Sequence, residues 1–262
     1  MTAVDSAQFK RFIAGLDVFS TTDNEFQRTD VAPEDSFGDG RLDAADQQQM
    51  DNYIAALDPP RTGGGPTGPV PGPVADKSVD FLFEGKGRNY RIVSTNGSRG
   101  DEVIVTIEID AKGNETGISF TLAFDPSKLS FSAISGTNNN PDVTDGPGSP
   151  EGMNRTLNAT RADEGMLGLL LNASAPFEAG TGQIVNLRFR VLADAAFGPT
   201  ELTFADESIA RSTTNADAES LDAAYENGEV MIKQSRHVDK ISWMSAWRYD
   251  RLPSLSIKPR RR

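Results

Sequence analysis

The residues best suited to chemistry lie in one acidic run, Asp-Ser-Phe-Gly-Asp-Gly-Arg-Leu-Asp-Ala-Ala-Asp at 35–46. A calcium loop of the EF-hand type needs oxygen ligands at alternate positions, glycine at position six for its sharp turn, and a carboxylate at position twelve. Setting Gly40 at six puts Asp35 at one, Asp39 at five, the Arg41 carbonyl at seven, Asp43 at nine and Asp46 at twelve. Position three is then Phe37, whose side chain cannot ligate, so Asp30 is expected to supply the first carboxylate through a longer excursion of the chain. Calcium is therefore the predicted cofactor, held by Asp30, Asp35, Asp39, Arg41, Asp43 and Asp46. The same run also reads as an acidic turn ahead of a helix, with Asp43 or Asp46 as the N-cap.

Other chemistries are poorly supplied. The chain has no cysteine, which removes disulfides and thiolate metal sites, and its one histidine, His237, lies in the C-terminal tail, which argues against a Ser-His-Asp or histidine-metal site. No glycine-rich phosphate loop or nucleophile elbow occurs. With 38 acidic residues some carboxylate pair always looks suggestive, so pairs alone do not argue for hydrolysis. The formal charge of −12 argues against a nucleic-acid partner, because phosphate binding depends on lysine and arginine. No apolar run is long enough to span a membrane. The expected function is binding without catalysis.

The elements that must position the acidic run follow from periodicity. Residues 5–17 match residues 46–58, with Phe9, Phe12, Ile13 and Leu16 answered by Met50, Tyr53, Ile54 and Leu57 at helical spacing. Two such helices can each bury a stripe against the other. The first segment is thus 1–58, small, α-helical and EF-hand-like. A Pro/Gly-rich linker follows at 59–77. From 78 to 233 apolar and polar residues alternate between turn residues, giving strands at 90–94, 102–110, 117–124, 129–135, 155–160, 166–173, 183–192, 200–204, 206–211 and 227–232. Strands without crossover helices predict an antiparallel β-sandwich or barrel, so the fold class is mainly β. Residues 234–262 form a basic tail, with eight lysines and arginines against two acids over 235–262, and are expected to be disordered.

Two resemblances sharpen this reading. Gly38, Asp39, Gly40, Leu42, Asp43 and Asp46, followed by Tyr53, Ile54 and Leu57, resemble the second repeat of a dockerin. The first repeat begins at what would be loop position eight, leaving only Asp5 at position twelve, so its calcium loop is missing. The stretch from about 88 to 233 resembles a cohesin, the dockerin's partner. The matching runs are Gly100–Val105, Gly117–Leu129 with Phe124-Asp125-Pro126-Ser127-Lys128-Leu129 as its most specific part, Gly182–Val191, Leu202–Asp206 and Asn227–Ile232. The cohesin resemblance implies a jelly-roll sandwich, of the kind that also houses carbohydrate-binding modules, which recognises a dockerin-bearing protein through one sheet face.

The aromatic residues help to choose a ligand. A flat polysaccharide is usually held on a row of exposed aromatic rings, yet both tryptophans, Trp243 and Trp247, fall in the tail and the sandwich carries only Tyr90 and Tyr225 beside phenylalanines at core-like positions. A protein-binding face fits better, and the cohesin resemblance places it on strands 117–124 and 129–135 and the polar loop near 138–152. The expected role is a scaffold or adaptor in polysaccharide degradation or surface assembly, whose partners include dockerin-bearing glycoside hydrolases. A carbohydrate-binding module or a structural surface protein are the alternatives. The first residues lack a signal peptide. They are read as the remnant of a longer N-terminus on an extracellular or cell-surface protein, against a cytoplasmic alternative.

Overall fold

The computed structural model describes residues 3–20, 22–70, 87–132, 136–137, 140–207 and 209–234. The basic tail from 235 onward and much of the second half of the predicted linker lie outside these residues.

The N-terminal segment holds three helices, α1 (Ala3–Ile13), α2 (Glu25–Thr29) and α3 (Ala44–Ile54). Both long helices occur where the repeated apolar spacing predicts them. Phe9 and Ile13 of α1 meet Met50 of α3, with Val31, Leu42 and Ile54 packed alongside. Phe12 stacks on Phe19 and Phe19 meets Phe26 edge-on, which folds the intervening chain back over the helices. Leu57, the last apolar residue of the second repeat, lies beyond the end of α3 and is 74% exposed.

The remaining described chain is β. Its strands are β1 (Asn89–Val93), β2 (Thr95–Ser98), β3 (Glu102–Ala111), β4 (Gly117–Phe124), β5 (Leu129–Ser130), β6 (Gly136–Thr137), β7 (Val143–Asp145), β8 (Asn154–Asn158), β9 (Met166–Asn172), β10 (Gly180–Val191), β11 (Gly198–Ala205), β12 (Ser212–Thr214), β13 (Ala224–Glu226) and β14 (Gly228–Lys233). A six-stranded sheet runs β13-β1-β3-β10-β5 with β7 also on β10. An eight-stranded sheet runs β2-β14-β11-β4-β9-β8-β6 with β12 also on β4. The result is the expected jelly-roll sandwich.

Two features depart from a purely antiparallel reading. The pairs β1–β13 and β2–β14 are parallel. They join the first and last strands of the sandwich, so the whole domain serves as their connection and no crossover helix is needed. The described residues of the strand predicted at 206–211 are not in a strand: the Asp206 carboxylate instead accepts bonds from the Arg211 backbone N–H (2.7 Å) and from its Nε (3.0 Å) and Nη2 (2.8 Å).

Alternation explains the core. In β3, Val103, Val105, Ile107 and Ile109 face inward and are buried between less buried neighbours. They meet Ile118, Phe120 and Leu122 of β4 and Leu167, Leu169 and Leu171 of β9 in one continuous apolar cluster. Phe124, Phe131 and Phe189 pack ring to ring at one part of it, and Phe120, Phe204 and Tyr225 at another. Burying each such side chain contributes roughly 1.5–3 kcal/mol.

Candidate functional site

The acidic loop and the outer face of the eight-stranded sheet lie side by side. Asp30 organises the loop. Fully buried, it accepts the Asp39 N–H on Oδ1 (2.9 Å) and the Gly40 N–H on Oδ2 (2.7 Å). Gly40 has φ +82°, the left-handed conformation that the sharp turn requires. Asp39 turns its Oδ1 back to the Arg41 N–H at 2.9 Å. Asp43 is the N-cap of α3, accepting the Ala45 N–H (2.8 Å). Asp46 completes a capping box by accepting the Asp43 N–H at 3.0 Å. The other oxygen of Asp46 accepts the N–H groups of Val31 (2.8 Å) and Ala32 (3.0 Å), which ties the loop's start to the helix.

Of the six predicted ligands, the structure thus brings Asp30, Asp39, Asp43 and Asp46 into one hydrogen-bonded turn. Asp35 lies apart in a 3-10 turn with an exposed side chain. The alternative reading of Asp43 as an N-cap describes what α3 does. As arranged, the carboxylates face backbone N–H groups, and among the described residues no three acidic or histidine side chains converge to hold a metal. Their protonation reflects this crowding. Burial pushes the Asp30 carboxyl up to about 6 against the opposing bonds from Gly40 and Asp39. Burial also raises Asp43, and burial together with the neighbouring Asp43 charge raises Asp46 well above its ordinary value.

From this loop α3 continues across the outer face of β4 and β9. Gly117 of β4 has no side chain, and a Cβ there would lie 3.2 Å from the Cβ of Ala44, so the helix start sits directly on the strand. Leu170 points away from the sandwich core, opposite in parity to Leu169 and Leu171, and joins the helical cluster of Phe9, Ile13, Ala44 and Met50. Amides frame this contact. Asn158 of β8 donates to the Ala14 carbonyl just past α1 (2.6 Å), Asn172 of β9 donates to Gln48 (3.4 Å), and Asn52 donates to the Ala216 carbonyl (2.9 Å).

Sequence reasoning did not find these face residues. The available signal was the unbroken apolar run at 167–171, since a strand with one solvated face alternates. The two strands expected to share a binding face belong to different sheets, β4 to the eight-stranded and β5 to the six-stranded one. The polar loop is held to the six-stranded sheet, with Gly146 N–H donating to Ile184 (3.1 Å) and Gly148 N–H to Gln183 (2.8 Å).

Two stacked sheets closed on one continuous apolar core define a jelly-roll β-sandwich, here with the chain's own helices over one outer face. The family model for the cohesin domain matches residues 89–232, and the chain belongs to that family. Similar solved structures include the sixth cohesin of Acetivibrio cellulolyticus scaffoldin B, solved in complex with a Cel5 dockerin. It is 23% identical, with 56% of this chain and 99% of that one covered and a TM-score of 0.47. A cohesin from Clostridium acetobutylicum is 17% identical, covering 57% and 93%, at a TM-score of 0.46. A non-cellulosomal cohesin from the archaeon Archaeoglobus fulgidus is 16% identical, covering 57% and 94%, at 0.45. No curated protein matches this sequence at a significant level.

Proposed function

We propose that the protein is a non-catalytic scaffold or adaptor whose cohesin domain captures dockerin-bearing partners, glycoside hydrolases among them, outside the cell or on its surface. The observation that carries this reading is the cohesin family match over the whole sandwich, residues 89–232. The disposition of the aromatic rings supports protein over polysaccharide as the ligand. Phe120, Phe124, Phe131, Phe177, Phe189, Phe204 and Tyr90 are all buried. Among the described residues of the sandwich Phe197 is the one strongly exposed ring, with the Arg99 guanidinium over it. A single ring is not the flat row a glucan surface needs. The strand 117–124 expected to bear the partner lies in the eight-stranded sheet, which directs the proposal to that sheet's outer face.

Because the start of α3 lies on that face, with Ala44 against Gly117, the test sets the immobilised full-length Ala44→Arg chain against dockerin-bearing glycoside hydrolases and, separately, against insoluble glucan. Saturable retention of the enzymes with free passage over glucan is the expected result. Retention on glucan without enzyme binding would replace this reading with a carbohydrate-binding module.

For the dockerin-like segment at 1–58 we propose calcium as a ligand reached by rearrangement. Four carboxylates gather there, but ion binding requires Asp30 and Asp46 to release their backbone N–H donors. Titration calorimetry on the full chain should then show calcium binding that Asp39→Ala and Asp46→Ala weaken, and absence of heat removes calcium from the account.

A further inference from the structure

We propose that residues 3–58 act as an intramolecular cap: the helical segment occupies the outer face of the eight-stranded sheet in cis and must leave before that face can take a helical partner. The proposal rests on the reading of this face as the recognition surface. It adds what fills the face in this chain and what kind of ligand the face selects.

The contact has the character of recognition more than of a shared core. The sandwich contributes Leu170 to the helical apolar cluster, whereas its own interior forms a separate cluster on the opposite side of the same strands. The polar side of the contact is carried by the amides of Asn158, Asn172 and Asn52, together with a side-chain bond between Asp43 and Ser212 of β12. Contacts between units that separate are typically polar in this way. The shape is specific nonetheless. A flat Gly117 receives the start of a helix at Ala44, and Asn158 meets a carbonyl at the end of another. A ligand of this face is therefore a pair of helices presenting a small residue at one helix start and a free carbonyl at the other's end.

Covalent attachment favours the cis arrangement. A tether of a few tens of residues sets an effective concentration on the order of millimolar, which free ligand at micromolar concentration does not match. An external partner thus competes against the chain's own segment.

Two full-length variants separate face from cap. Leu170→Glu puts a charge on the outward side of β9, away from the sandwich core, so that chain has a spoiled face and a released segment. Ala44→Arg cannot sit on Gly117, so that chain has a spoiled segment and an open face. Hydrogen exchange should show the amides of 44–54 losing at least tenfold protection in both variants while β3 and β10 keep theirs, which also verifies that the sandwich is folded. Mixed at tens of micromolar, the two variants should form a one-to-one complex in sedimentation, and wild type should bind neither. Unchanged protection at 44–54 overturns the cap. Wild type binding the Leu170→Glu chain as well as Ala44→Arg does overturns occlusion. Lost protection without complex formation reduces the contact to intrachain packing and overturns recognition. Failure of the Ala44→Arg chain to retain dockerin-bearing proteins counts against the proposed function and leaves these outcomes as they stand.

Discussion

Glu115 is fully buried in the turn before β4, and its carboxylate accepts the backbone N–H groups of Lys112 (2.8 Å), Gly113 (3.0 Å) and Asn114 (3.2 Å) while pairing with Arg88. Burial alone would raise its pKa, but the bonds from backbone and from Arg88 more than compensate and hold it below the ordinary value of 4.5. Removing one partner of a buried ion pair strands the other, so Glu115→Gln should cost about 3 kcal/mol in urea unfolding at pH 7. A carboxyl with a depressed folded pKa binds fewer protons folded than unfolded between its folded and unfolded pKa values. Its contribution is full above the ordinary glutamate pKa and is lost as the pH falls through the folded value. The gap between wild type and Glu115→Gln should therefore narrow on acidification below pH 4.5 and stay constant from there to neutrality. A gap that widens in acid would mean that the carboxylate is not the stabilising form.

Among the elements, α3 depends on two side chains at its start. Asp43→Ala removes the N-cap acceptor and should destabilise the helical segment by about 1 kcal/mol, whereas Asp43→Asn should lose only a fraction of that. Asp46→Ala leaves three backbone N–H groups, of Asp43, Val31 and Ala32, without their acceptor. It should cost more, about 2–3 kcal/mol, read as faster exchange at 44–54 with β3 unchanged. Equal effects of Asp43→Ala and Asp46→Ala would argue that the loop is not tied through Asp46. Much of this element was legible beforehand. Helical spacing located α1 and α3, Gly40 marked the turn, and Asp43 was one of two N-cap candidates, because these features are local. Sheet membership was not legible: periodicity says that 117–124 and 129–135 have inward faces, and nothing local says that they face each other from different sheets. The cover over β9 was written only as the parity of Leu170, which an all-apolar strand disguises.

At the scale of the molecule the two units differ greatly in how much they bury. The sandwich closes one continuous apolar cluster contributed by nearly every strand, and the helical unit closes a small one to which the sandwich lends Leu170. Units joined by a small polar contact open independently, each with its own free energy. Unfolding of the whole chain should therefore not be two-state. In native-state hydrogen exchange with rising urea, the amides of α3 should exchange through an opening well below the global free energy, while those of β3 and β10 wait for global unfolding. Phe120→Ala, which opens a cavity between the sheets, should lower the β3 and β10 isotherms by about 3–5 kcal/mol. Its effect on α3 should be far smaller, because that helix already opens before the core does. If instead the α3 and β3 isotherms merge at low urea and Phe120→Ala lowers both equally, the helices and the sandwich form one cooperative unit. The outer sheet face would then not open short of global unfolding.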